Sequence, residues 1–107
     1  MDVYNIDERR CRTLDRPIPT QRAGTASVSN AGKLIVLGGE SDRQVSAHSE
    51  VEALDLKSGT WETLPAMPVA RHGTQAVLDG SGLHIVAGSK NRRDGPELGD
   101  HVVLEGL

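Results

Sequence analysis

Lys33-Leu34-Ile35-Val36-Leu37-Gly38-Gly39 is an apolar run closed by two glycines, and it returns in altered form about fifty residues later as Leu83-His84-Ile85-Val86-Ala87-Gly88-Ser89. Continuous apolar residues between a turn signal and Gly-Gly read as a strand covered on both faces, ending where the backbone needs unusual φ or close approach. The repetition speaks to architecture and leaves the ligand open.

Working outward, a period near fifty residues changes how every other stretch is read. At an offset of 49, Pro19 falls on Pro68, Arg22 on Arg71, Gly24 on Gly73 and Val28 on Val77; at 50, Leu14 meets Leu64, Ile35 meets Ile85 and Gly38 meets Gly88. At 48, Val3 lies on Val51 and Asp7 on Asp55. Drift of one or two residues belongs in surface loops.

Between these anchors short strands alternate with turn residues, with no helical period. Strands are expected over Val3 to Ile6, Cys11 to Leu14, Arg22 to Ser29, Lys33 to Leu37, Ser49 to Leu56 and Thr60 to Leu64, and the cycle then restarts at Arg71 and reaches His101 to Glu105. Asn30-Ala31-Gly32, Lys57-Ser58-Gly59 and Asp79-Gly80-Ser81-Gly82 read as turns, and Pro17 and Pro19 keep 15–21 out of any strand interior. In 49–56, Val51, Ala53 and Asp55 are expected to alternate against Glu52, Leu54 and Leu56.

The 107 residues suit one domain, with 36% hydrophobic residues, 2% aromatic and no Phe, so any core rests on Val, Leu, Ile and Ala. A net charge of −3 gives no electrostatic reason to expect nucleic acid or an anionic membrane as partner. Arg9-Arg10 and Arg92-Arg93 are too short and too mixed with acids to change that. One cysteine, Cys11, makes no internal disulfide and identifies no redox compartment. No apolar run approaches the roughly 18 residues of a spanning helix, and the acidic, polar start is not that of a signal peptide, so a soluble chain of unknown compartment is expected.

Ile35-Val36-Leu37-Gly38-Gly39, the 51–56 stretch with Asp55, Trp61, Leu64, Met67-Pro68 and Arg71-His72-Gly73 together resemble one full kelch motif in order, and the resemblance runs over nearly the whole chain, about two motifs. Gly88-Ser89 departs from the second glycine pair, Cys11 stands where an earlier unit would have Trp, and Leu54 where the family often has Tyr. The resemblance implies an all-β fold of antiparallel four-stranded kelch blades, a partial β-propeller of about two to two and a half blades. With strands a to d named from the axis outward, it implies a single domain over 1–107: a blade remnant over 1–21 (c and d), a full blade over 22–64, and an incomplete C-terminal blade over 71–105 (a, b and c). Gly38, Gly39, Asp55, Trp61, Gly73 and Gly88 are the structural positions of the motif. Unpaired edges leave two readings: a remnant of a longer propeller, or assembly of several copies into a ring.

In such blades the d-to-a and b-to-c loops share one face, which would gather Arg16, Arg22, Arg43, Arg71, Lys90, Arg92 and Arg93 with Asp15, Glu40, Asp42, Asp94 and Glu97. Arginine forks suit carboxylates, so Arg22, Arg43, Arg71, Arg92 and Arg93 are the candidate ligand-binding residues; for Arg22 and Arg71 the competing reading is turn-stabilising hydrogen bonds. His48, His72, His84 and His101 are spaced by 24, 12 and 17, which matches no compact metal motif, and no metal or cofactor is expected. Oxidases of the galactose-oxidase kind share the repeat, but their chemistry needs more than the single Tyr4, so no catalytic residue is assigned. The function expected is a non-catalytic interaction module that binds a protein or other ligand through the loops of one face. The alternatives are a carbohydrate-related propeller of the galactose-oxidase or sialic-acid mutarotase kind, or a truncated fragment without independent function.

Overall fold

The structure is a computed structural model and describes residues 1–106. It holds nine strands: β1 (Asp2–Asn5), β2 (Arg10–Thr13), β3 (Ala26–Asn30), β4 (Lys33–Leu37), β5 (Val51–Asp55), β6 (Trp61–Leu64), β7 (Gln75–Asp79), β8 (Gly82–Val86) and β9 (His101–Leu104). All pairings between them are antiparallel, and they form sheets β1-β2, β3-β4-β5-β6 and β7-β8-β9. No helix is present among the described residues, and none is long and apolar enough to cross a membrane. The all-β class and the up-and-down order inside each sheet follow from short apolar runs punctuated by glycine turns.

The β3–β4 connection shows the local cause. Ala31 and Gly32 both take positive φ, at 50° and 78°, the backbone sense that matches strand twist in a two-residue hairpin. Between β5 and β6, Asp55 closes the turn by accepting the backbone N–H groups of Lys57 and Ser58, each at 2.9 Å. These contacts hold the Asp55 carboxyl below its ordinary range, the Ser58 and Lys57 amides being the main causes. In the first sheet it is Asn5 that accepts the Glu8 amide, at 3.0 Å. Asn5, and not Asp7, therefore occupies the place of Asp55, and the first unit is offset by 50 residues there.

The core lies between the second and third sheets. Ile35, Leu37, Val51 and Ala53 from one side form a single buried cluster with Leu83 and Ile85 from the other, and Met67 closes it. Because side chains alternate along a strand, a one-residue slip would move this whole set to the wrong face. The alignment of Ile35 with Ile85 is corrected by this geometry. The backbone bonds joining Ala23 to Glu40 recur between His72 and Ser89, both at an offset of 49. Leu83 and Ile85 thus stand in the places of Leu34 and Val36, and His84 stands in the place of Ile35.

The same frame sets Ala87-Gly88 against Gly38-Gly39, in place of Gly88-Ser89. Gly38 has φ +67°, and a Cβ there would lie 2.5 Å from the Arg71 carbonyl oxygen. Gly39 donates its N–H to that same oxygen at 2.9 Å, so the glycine pair is where the second sheet meets the segment entering the third.

Strand β5 departs from simple alternation. Val51, Glu52, Ala53 and Leu54 are all buried, because the third sheet covers one face while the segment carrying Thr20 and Arg22 reaches Glu52 on the other. Strand β8 does alternate: Leu83 and Ile85 are buried, whereas Val86 is exposed. Among the described residues, the outer edges of β1 and β9 carry no partner strand.

Candidate functional site

Two long loops, residues 38–50 between β4 and β5 and residues 87–100 between β8 and β9, lie side by side. Ala47 donates to the Lys90 carbonyl at 2.9 Å and Arg92 to the Val45 carbonyl at 2.7 Å, so they form one surface with shared backbone bonds. The Arg92 guanidinium adds a bond to the Asp42 carbonyl at 3.2 Å, and the Arg93 amide donates to the Glu40 carboxylate at 2.5 Å. Below them, buried His72 donates through Nε2 to the Asn91 carbonyl at 2.7 Å and stands 3.5 Å from Glu40. Between the loops is a cleft of about 270 Å³, lined by Ala23, Glu40, Ser41, Asp42, Arg92 and Arg93.

The structure separates the five candidate arginines into two groups. Arg22 and Arg71 are fully buried and engaged inside the molecule. Arg22 reaches Glu52 and the Thr20 carbonyl at 2.6 Å each, with further bonds to the Gly38 and Val36 carbonyls. Arg71 repeats the pattern 49 residues on, bonding the Val69 and Ala87 carbonyls and, with both terminal nitrogens, Asp100. Their forks meet carboxylates of this chain, at the start of each sheet's third strand, and neither side chain reaches solvent. The reading of these two as ligand-binding residues is corrected accordingly; the hydrogen-bonding alternative describes them.

Arg43, Arg92 and Arg93 remain on the loop surface. No hydrogen bond occupies the guanidinium groups of Arg43 and Arg93 among the described residues. Arg16 lies elsewhere: its carbonyl accepts from Trp61 Nε1 at 3.3 Å, and it lines a polar cleft of about 310 Å³ with residues 56–59, at the opposite end of the second sheet. Trp61 is half-buried and ties the segment after β2 to β6.

The histidines also come together in ways that spacing alone hides. His84 Nδ1 and His101 Nε2 are 2.8 Å apart on neighbouring strands, and Ser81 and Asp79 contact His84 Nε2 at 2.7 and 3.1 Å. Among the described residues no group of three or more His, Cys, Asp or Glu could hold a metal ion. Glu52 and Asp100, the internal partners of the two arginines, went unread in the sequence, although each lies 29 or 30 residues beyond its arginine in the repeat.

Antiparallel sheets of successive strands, glycine pairs at the sheet junctions and long loops on one face define a bladed β-repeat. Residues 21–68 match the Kelch motif. The chain is 31% identical over 77 residues to the Kelch-like protein terF of Aspergillus terreus, an alignment covering 70% of this chain and 17% of that protein. It is 32% identical over 88 residues to Kelch-like protein 41b of Danio rerio, covering 82% of this chain and 14% of the relative. The chain belongs to the kelch-repeat family, and it spans less than a fifth of the length of these curated relatives.

Proposed function

We propose that this kelch module binds a protein segment through the paired loops 38–50 and 87–100. The observation that carries the reading is the pair of unengaged guanidinium groups, Arg43 and Arg93, on a surface whose backbone is held by bonds between the two loops. An arginine fork on a held backbone suits a carboxylate, since less order has to be created on binding. A protein segment is favoured over a sugar because neither Trp61 nor Tyr4 is on this face to offer a ring for stacking: Trp61 begins β6 at the far end, and Tyr4 lies in β1. Asp42 and Glu97 on the same loops make the surface mixed in charge, so the segment recognised carries acidic and neutral residues together.

Selection of a random 12-residue peptide library displayed on phage tests this. Selected peptides are expected to lose binding to Arg43→Glu and Arg93→Glu and to keep it with Lys57→Glu, whose side chain is at the opposite end of the sheet. Equal loss with Lys57→Glu, or no loss with either loop variant, contradicts the reading. The outer edges of β1 and β9 are left for further strands of the same kind, from a longer chain or a second copy. Mass measurement on the eluted species distinguishes these.

A further inference from the structure

Ser41, His48 and Glu50 form a directional series of hydrogen bonds within one loop. His48 is 3% exposed; its Nε2 is 2.8 Å from Ser41 Oγ and its Nδ1 is 2.9 Å from Glu50 Oε2. The proton positions follow from the neighbours. The Arg43 amide donates to Ser41 Oγ at 3.3 Å, which leaves the hydroxyl proton to point at Nε2. Burial works to raise the Glu50 carboxyl, but its own backbone N–H and His48 outweigh this and hold it below the ordinary range. Glu50 is then an acceptor at neutral pH, it takes the Nδ1 proton, and Nε2 is left with its lone pair toward the hydroxyl. A nucleophile, a base within hydrogen-bond reach and a third group that orients the base are the parts a covalent hydrolase needs.

The fold does not require these residues. In the third sheet Leu98 occupies the position of His48, its amide bonding Gly88 as that of His48 bonds Gly39, both at 2.8 Å. Asp100 occupies the position of Glu50, yet it is consumed by Arg71. In the second sheet that duty has passed to Glu52, where the third sheet has Val102, and Glu50 is thereby released to face His48. Two departures from the neighbouring repeat, a histidine and a displaced acid, act together.

Ser41 also lines the cleft of about 270 Å³ between the loops, with Arg92 and Arg93 on its far wall. The volume is slightly below the roughly 300 Å³ at which drug-sized pockets begin, which suits a short acyl group. We infer that Ser41 is a nucleophile with His48 as its general base and Glu50 as the residue that positions the ring, acting on small carboxylic esters. Ser41 Oγ adds to the ester carbonyl carbon as its proton passes to His48 Nε2, and the tetrahedral anion is held by the arginine N–H donors. The bond to the ester oxygen breaks, and the alcohol leaves with the proton from Nε2. Water then adds to the acyl-serine, giving a proton to Nε2; the carboxylic acid departs and Ser41 regains its proton.

An alkyl fluorophosphonate tests the serine directly. Attack by Oγ on phosphorus expels fluoride, the hydroxyl proton passing to His48, and leaves a phosphonyl group whose mass identifies the modified residue. Labelling of the wild-type chain is expected on Ser41, absent in Ser41→Ala, and slower by about a hundredfold in His48→Leu, which copies Leu98 and keeps the melting midpoint. In Glu50→Gln the pH of half-maximal labelling moves down, because the imidazolium loses its carboxylate partner, a change that a purely structural role would not produce. Absence of the adduct from wild-type Ser41, an equal rate in folded His48→Leu, or an unmoved pH profile in Glu50→Gln overturns the assignment; the first and last of these stand even if His48→Leu fails to fold.

Discussion

The Arg71 guanidinium grips the Asp100 carboxylate with both terminal nitrogens, at 2.7 and 2.9 Å, from a side chain that has no exposure to solvent. The same side chain also bonds two main-chain carbonyls, so it clasps the strand that enters the third sheet to the loop that leaves it. Lysine keeps the charge and loses the fork. Arg71→Lys is therefore expected to lower stability by about 2 kcal/mol, chiefly through carbonyls left without donors, as read by urea unfolding. An unchanged midpoint would show that the clasp is dispensable.

That pair also gives a pH dependence. Arg71, through its hydrogen bonds first, lowers the Asp100 carboxyl from its ordinary 3.8. A carboxyl depressed on folding adds stability that is complete above the unfolded value and is lost as pH falls through the folded one. Asp100→Asn should thus flatten the fall in stability below about pH 4, at the cost of a lower plateau near neutrality. An acid limb of the same steepness in both proteins would contradict this.

Asp79 offers a local version on an exposed hairpin. The Ser81 hydroxyl and amide, with His84, take its carboxyl from 3.8 down to about 2. Ser81→Ala removes the largest of these contacts, and NMR titration of the Asp79 carboxyl carbon should show its midpoint returning toward 3.8. No movement of the midpoint would mean that the hydroxyl bond is not formed in solution.

Gly38 and Gly59 both hold positive φ, at 67° and 73°, but only Gly38 lacks room: a Cβ there meets the Arg71 carbonyl at 2.5 Å, whereas nothing lies within 4 Å of one at Gly59. Gly59→Ala should cost about 1–2 kcal/mol for the left-handed backbone alone. Gly38→Ala should cost clearly more, since the sheet junction must also open. Equal melting midpoints for the two variants would show that the junction is loose.

What could be read in the sequence was what depends on local chemistry. The hairpin at Asn30-Ala31-Gly32, the turn at Asp55 and the strand of 33–37 follow from turn residues and apolar runs, and each has its place in the structure. The repeat was legible in Arg22, Gly24 and Val28, but the b-strand alignment of Ile35 with Ile85 slipped by one. Apolar identity does not distinguish Leu83 and Ile85 from their neighbours, and only the backbone bonds of Ser89 to His72 set the frame. Burial of Glu52 and Leu54 was illegible for another reason: it depends on a chain segment some thirty residues earlier that covers the sheet. The inward turn of Arg22 and Arg71 was hidden likewise, because their acids come from a distant strand of the same sheet.

The account rests most heavily on two sheets of one design, facing each other with Leu83 and Ile85 turned inward and His84 turned out. Methyl-resolved NMR measures this directly. Leu83 and Ile85 methyl groups are expected to show cross-relaxation with Ile35, Leu37 and Val51, together with backbone cross-strand contacts joining Ile35 to Ala53 and Ile85 to Val102. Contacts from His84 in place of Ile85, or a sequential pattern typical of helix in either half, would contradict it.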